Sequence, residues 1–233
     1  MTVVITGASR GIGKAIAEMF AAKDATLFLT SRNHEILQTT AKQLSQKYPL
    51  STINAKAFDL SKKQEAVAFG NWVLSFSTSI DIVINNAGIF EPGNIYNEPD
   101  GLLESQLATN LLSAYHVTRT IVASMIKQKQ GHIFNICSVA SLQAYTNGGA
   151  YSISKFALDG FTKNLRKEMM PFNIKVTAVY PGAVMTDSWG NFDNSQQRIM
   201  EATDIAKMIT AAVELSPAAC VEEIIIRPVQ GDL

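Results

Sequence analysis

Apolar residues in this chain fall into short blocks, and between the blocks they recur at helical spacing. Val3 to Thr6, Leu27 to Thr30, Thr52 to Ala57 and Ile80 to Asn85 read as strands, as do His132 to Ser138, Ile174 to Val179 and Ile224 to Ile226. Ile12, Ala15, Ile16, Met19 and Phe20 form the apolar stripe of a first helix. Leu107, Leu111, Ala114, Val117, Ile121 and Met125 form that of a long later one. The pattern predicts further helices over Asn33 to Lys47, through Trp72 and Val73, over Ala150 to Met170, and over Ile205 to Leu215. Pro171 stops the third of these, because proline cannot continue a helix.

Strands apolar on both faces, alternating with helices, predict a parallel sheet covered on both sides. The expected fold is a Rossmann-type, doubly wound α/β sheet of about seven strands, matching the seven runs above. No Ser/Gly/Pro-rich linker or internal repeat divides the chain, so one domain over residues 1–233 is expected. The segment from Pro181 to about Met200 has no clear period. Loops this long are usually functional. It follows the sixth strand, at the edge where open α/β sheets bind ligands, so a substrate lid over about 184–200 is expected.

Composition narrows the partners. Twenty basic residues balance twenty acidic ones, which gives no electrostatic case for nucleic acid or an anionic membrane. The two cysteines, Cys137 and Cys220, sit among apolar neighbours without metal spacing and read as buried free thiols in a reducing compartment. A strand already begins at Thr2, so no secretory signal is expected, and no apolar run approaches the roughly 18 residues of a membrane span. A soluble, cytoplasmic protein is expected.

The first strand runs into Thr6-Gly7-Ala8-Ser9-Arg10-Gly11-Ile12-Gly13 and then into a helix. Glycines let a pyrophosphate approach the backbone, and the helix N-terminus offers unpaired N–H groups. The end of the second strand reads Thr30-Ser31-Arg32. It lacks the carboxylate that meets a free ribose 2′-hydroxyl. Arg10 and Arg32 are expected to converge on a 2′-phosphate instead, which selects NADP(H) over NAD(H).

Tyr151 and Lys155 stand four apart in a predicted helix, on one face. A free phenol has a pKa of about 10, and an adjacent cation lowers it towards the range a general acid–base group needs. Alone, such a pair is common on solvated helices.

Together these segments resemble the short-chain dehydrogenases/reductases, from Thr2 to about Pro228. Thr6 to Gly13 is similar to the family's glycine-rich motif, and Asp59-Leu60 to its adenine-contacting pair. Asn85-Asn86-Ala87-Gly88 ends the fourth strand as the family's motif does. Asn110 falls where the family has a supporting asparagine, and Ser138 lies thirteen residues before Tyr151. Pro181-Gly182 with Thr186 resembles the segment that holds the nicotinamide end.

The resemblance implies catalysis by Asn110, Ser138, Tyr151 and Lys155. It implies cofactor contacts at Gly7, Ser9, Arg10, Gly11, Ile12, Gly13, Arg32, Asp59, Leu60, Asn86, Ala87 and Gly88, and at Tyr151, Lys155, Pro181, Gly182, Val184 and Thr186. Ser138 and Tyr151 would bond the substrate carbonyl oxygen, and Tyr151 would deliver a proton to it. Lys155 would lower the Tyr151 pKa and hold the nicotinamide ribose. Asn110 would hold a water that links Lys155 to solvent. No metal is implied.

Plainer readings stay open for single residues. Ser138 also suits a strand-end cap, and Asn110 a structural kink. Asn85 and Asn86 read as ties between strands. His34 and His116 read as solvated and His132 as a strand residue, none of them catalytic. Met185, Trp189 and Phe192 in the lid, with Ile89, Phe90, Leu142, Gln143 and Tyr145, suggest a mostly apolar pocket. It suits a ketone, an aldehyde or a β-ketoacyl group. A 3-oxoacyl-[acyl-carrier-protein] reductase and a non-catalytic NADP-binding regulator are the alternatives. Ala114, Ala157 and Leu158 on the two long helices suggest a homodimer. The end of the chain departs from the family's glycine-rich turn and leaves a homotetramer in doubt.

Overall fold

A computed structural model describes residues 1–186 and 189–232. Residues 187 and 188 of the expected lid lie outside the described residues, as does Leu233.

Seven strands form one parallel sheet: β1 (Thr2–Thr6), β2 (Thr26–Thr30), β3 (Thr52–Ala55), β4 (Ile82–Asn85), β5 (Gly131–Ile136), β6 (Ile174–Pro181) and β7 (Glu223–Ile226). Their order is β3-β2-β1-β4-β5-β6-β7. The chain winds outward in one direction to β3, then returns to β4 and winds in the other. The reversal between β1 and β4 opens a crevice at the carboxyl edge, where such sheets bind ligands.

Each strand feeds both faces because successive side chains alternate. Val3 and Ile5 enter a core built with Ile16 and Phe20 of α1 (Gly11–Ala21) and Ile205 and Ile209 of α7 (Ala202–Val213). Val4 points the other way, into a core with Phe69 and Val73 of α3 (Lys63–Phe76) and Val117 and Ile121 of α5 (Ser113–Gln128). α2 (His34–Lys47) covers the β2–β3 side, and α6 (Gly149–Met169) packs against β6. As predicted, α6 ends before Pro171, which opens a short 3₁₀ turn instead.

The long helix expected around Leu107 to Met125 is interrupted. A six-residue helix, α4 (Leu102–Leu107), joins α5 through a π turn at Ala108–Leu112. Asn110 sits in that turn and is 1% exposed. The fifth strand stops at Ile136, short of the Ser138 expected, and Ser138 caps a 3₁₀ turn at Val139–Ser141. The two ends of the segment expected to form a lid meet: Val184 bridges Met200, and Met185 N–H donates to the Met200 carbonyl at 2.7 Å.

Candidate active site

A cleft of about 1010 Å³ runs along the carboxyl edge, from the ends of β2 and β3 to that of β7. Every catalytic and cofactor-binding residue expected from the sequence lines it, except Gly13 and Asn110; of the residues expected around the substrate, Ile89, Phe90, Gln143, Tyr145 and Trp189 line it, whereas Leu142, Met185 and Phe192 do not.

At one end is the glycine turn. Gly7 and Gly11 have φ of +64° and +54°, a region costly for other residues. A Cβ on Gly13 would come within 2.3 Å of the Gly7 carbonyl oxygen, so only glycine lets α1 start this close to β1. The turn is tied to β4. Asn86 Nδ2 donates to the carbonyls of Thr6 and Gly7, both at 3.0 Å, and Thr6 Oγ1 accepts from the N–H groups of Asn86 and Ala87, both at 2.9 Å. The N-terminus of α1 carries no side-chain cap. Its first N–H groups therefore face the cleft as an anion cradle. A small hollow beside Arg10 adds Lys14, a cation that the motif reading missed because it lies one turn inside the helix.

Asp59 accepts hydrogen bonds from the Ser61 hydroxyl at 2.6 Å and N–H at 3.2 Å. The Ser61 hydroxyl bond is the main reason its carboxyl stays below the ordinary carboxylate pKa. Asn85, Asn135, Thr118 and Thr162 form a buried relay beneath the cleft, with links of 2.8–2.9 Å. Asn85 thus ties neighbouring elements together, as the plainer reading expected.

At the other end, α6 presents Tyr151 and Lys155. Lys155 is buried, and its Nζ lies 5.8 Å from the Tyr151 ring centroid and donates to the Ile136 carbonyl at 2.9 Å. Ser138 lines the same end of the cleft as the half-buried Tyr151, and its hydroxyl accepts from Ala140 N–H at 3.1 Å. One expectation needs correction. Lys155 does not hold the Tyr151 phenol below its usual pKa: burial pushes the phenol up, outweighing the nearby Ser138 hydroxyl, which favours phenolate. The same burial pushes Lys155 down to about 8.

Asn110 is fully engaged. Its Oδ1 accepts from Ile89 N–H at 2.8 Å, and its Nδ2 donates to the Ile89 carbonyl at 3.0 Å and to Ser154 Oγ at 2.8 Å. The side chain therefore clamps the strand-end loop to α6.

Other titratable groups fit structural roles. Burial holds the Cys137 thiol up at about 12, so it is no nucleophile at neutral pH; Cys220, expected to be buried too, is exposed, because it lies in the loop before β7. His132 is buried, bonded to Thr177 at 2.7 Å, and pushed down to about 3 by burial. Among the described residues no cluster of three His, Cys, Asp or Glu suits a metal ion, and no helix is long and apolar enough to cross a membrane. Two charged residues of the cleft escaped the sequence reading: Arg227 and Asp232. Only the register of β7 beside β6 brings them to this edge.

An open parallel sheet with an anion cradle at its reversal, and a tyrosine, lysine and serine at the far end of the same cleft, defines a nucleotide-dependent oxidoreductase fold. The chain belongs to the short chain dehydrogenase family, whose family model matches residues 1–197. It is 32% identical over 240 residues to a sepiapterin reductase of Chlorobaculum tepidum, covering 99% of this chain and 97% of the relative. Among solved structures it resembles an alcohol dehydrogenase of Thermococcus sibiricus complexed with 5-hydroxy-NADP (TM-score 0.91, 26% identity, 98% of this chain and 96% of that one). It also resembles a metagenomic short-chain oxidoreductase in complex with NADP (TM-score 0.86, 29% identity, 98% and 97% covered).

Proposed function

We propose that this protein interconverts a ketone or aldehyde carbonyl and the corresponding alcohol, using NADP(H) in preference to NAD(H). The observation that carries the reading is the placement of Ser138 and Tyr151 together at the end of a nucleotide-sized cleft, with Lys155 one helical turn from Tyr151.

The cleft suits the cofactor. The uncapped N-terminus of α1 and the glycine turn would hold the pyrophosphate, and Arg10 and Arg32 the 2′-phosphate. Asp59 and Leu60 would meet the adenine. Lys155 would take the nicotinamide ribose, and Gly88, Pro181, Gly182, Val184 and Thr186 would flank the nicotinamide. The cofactor, when bound, supplies or accepts the hydride.

Ser138 and Tyr151 present two hydroxyls to one substrate oxygen. Tyr151 stays protonated at neutral pH, because burial raises it, and so is a ready donor to a developing alkoxide. Lys155, poised near 8, exchanges protons readily and would hold the nicotinamide ribose beside Tyr151. The Asn110 side chain is spent on Ile89 and Ser154, so a relay water would be held by the backbone of the π turn. Val184, Thr186 and Trp189 of the expected lid would cover the substrate side. Ala114 and Leu158, expected at a dimer seam, are buried inside the chain; Leu112 in the π turn and Ile153 and Phe156 on α6 are the exposed apolar side chains there, and they support a homodimer joined along α5 and α6. The cytoplasm, reducing and rich in NADPH, is the location proposed.

The test is NADPH consumption against diketones, aromatic ketones, aldehydes, sugars, sepiapterin and acetoacetyl thioesters. With the best substrate, Tyr151→Phe should lower kcat by about a hundredfold or more while NADPH still binds. Equal turnover by that variant refutes the reading.

A further inference from the structure

Arg227 and Asp232 line the cleft, and the function proposed above leaves both unused. β7 runs beside β6 with Ile226 opposite Pro181, and Gly182 N–H donates to the Ile226 carbonyl at 2.8 Å. Arg227 therefore leaves the sheet at the same carboxyl edge as Ser138, two strands away. Two strand spacings are about 10 Å, a gap that an arginine side chain and a small substrate can bridge together.

Four cations line the cleft among the described residues: Arg10, Arg32, Lys155 and Arg227. Arg10 and Arg32 follow β1 and β2, on the far side of the sheet reversal, and Lys155 lies against Tyr151. Arg227 is the cation available to the outer part of a substrate held at Ser138 and Tyr151.

Its guanidinium already holds a carboxylate, that of Asp232. This carboxylate occupies space that glycine leaves open: a Cβ on Gly182 would lie 2.6 Å from Asp232 Oδ1. Arg198, at the end of the lid, donates to the carbonyls of Gly231 and Asp232 at 2.9 and 3.3 Å. The backbone of this segment is thus fastened to the lid. The Arg227–Asp232 pair itself is solvent-exposed (40% and 35%), and exposed ion pairs contribute little. A carboxylate that is fixed against Ser138 and Tyr151 at its other end can replace Asp232 at small cost.

We infer that Arg227 and the space over Gly182 form a subsite for a substrate carboxylate, with Asp232 as its resident stand-in. The substrates are then oxo acids and hydroxy acids in preference to neutral ketones and alcohols. This deepens the carbonyl-reduction reading and rests on it. The carboxylate makes and breaks no covalent bond; it orients the carbonyl.

The experiment compares 2-oxobutanoate, 3-oxobutanoate and 4-oxopentanoate with their methyl esters, with NADPH. The best acid should exceed its ester in kcat/KM by about tenfold or more, the worth of one charge-assisted contact. Arg227→Ala should collapse that ratio towards one, and Arg227→Lys should restore part of it. Asp232→Asn should lower the KM of the acid, because the internal competitor is gone. A second arm titrates 4-hydroxypentanoate into the protein with NADP⁺ by calorimetry, and Arg227→Ala should weaken Kd about tenfold. Esters as good as acids in the unaltered protein, or an acid preference that survives Arg227→Ala, overturn the subsite. If no carbonyl compound is reduced, the functional reading has failed and calorimetry alone decides. Arg227-dependent binding then sustains the subsite, and no binding removes it.

Discussion

The Phe90 ring stands edge-on to the Tyr151 ring, with centroids 4.8 Å apart and planes at 79°. This geometry is favourable for aromatic pairs. Phe90 is held there because its neighbour Ile89 is clamped by Asn110, while Gly93 N–H bonds the Asn147 carbonyl at 3.0 Å, just before α6. Phe90→Ala should free the phenol to rotate. A loss of about 2- to 10-fold in kcat is expected, from an aromatic contact worth about 0.5–1.5 kcal/mol. Steady-state kinetics with Phe90→Leu alongside separates lost orientation from lost volume; equal kcat in all three proteins would refute the contact's role.

Lys155 gives a pH signature. Burial lowers its pKa from 10.5 to about 8, so the unfolded chain binds more protons than the folded one between those values. Stability therefore rises with pH across that window, and the protonated amine is a burden below it. Lys155→Met should stabilise the protein at pH 7 by on the order of 2 kcal/mol, after allowing for the lost bond to the Ile136 carbonyl. The gain should shrink by pH 10, while activity is lost throughout. Thermal melts at both pH values check the sign.

Arg32 is exposed at the end of β2 and lines the cleft. Arg32→Ala should reduce the NADPH-to-NADH ratio of kcat/KM by about tenfold, and combining it with Arg10→Ala should reduce it further. The ratio is the readout, since a general loss of stability would lower both terms alike.

Glu98 caps the helix that carries Tyr151: its Oε2 accepts from Ala150 N–H at 3.1 Å. The fit is close, since a Cβ on Gly149 would lie 2.4 Å from the Gly93 carbonyl oxygen and 2.5 Å from Glu98 Oε2. Glu98→Ala should cost about 1 kcal/mol, or a Tm drop of about 2–4 °C for a protein of this size. Glu98→Gln, which keeps an acceptor, should recover most of it in the same melt.

The sheet was legible because strands buried on both faces, such as Val3 to Thr6 and Ile82 to Asn85, are uninterrupted apolar runs. The nucleotide end of the cleft was legible too, since the glycine turn is contiguous in sequence and sits at a strand end. Other features depend on distance in space and left no local mark. Arg227 and Asp232 reach the cleft only through the pairing of β6 with β7 and the fold-back onto Arg198. The direction of the Tyr151 shift depends on how much protein surrounds the phenol, and no spacing of Tyr and Lys encodes that. The π turn was hidden because Leu107, Leu111 and Ala114 keep helical spacing through it.

That broad turn sets the angular phase of two surfaces independently. Within it, Asn110 faces the loop at Ile89; downstream, Val117, Ile121 and Met125 face α3, which approaches so closely that a Cβ on Gly70 would come within 2.6 Å of Thr120 Cγ2. A regular helix of the same sequence would be out of step by roughly 100° on one side or the other. Deleting one residue between 108 and 112 would therefore leave a smoother rod that must choose between its core and its asparagine.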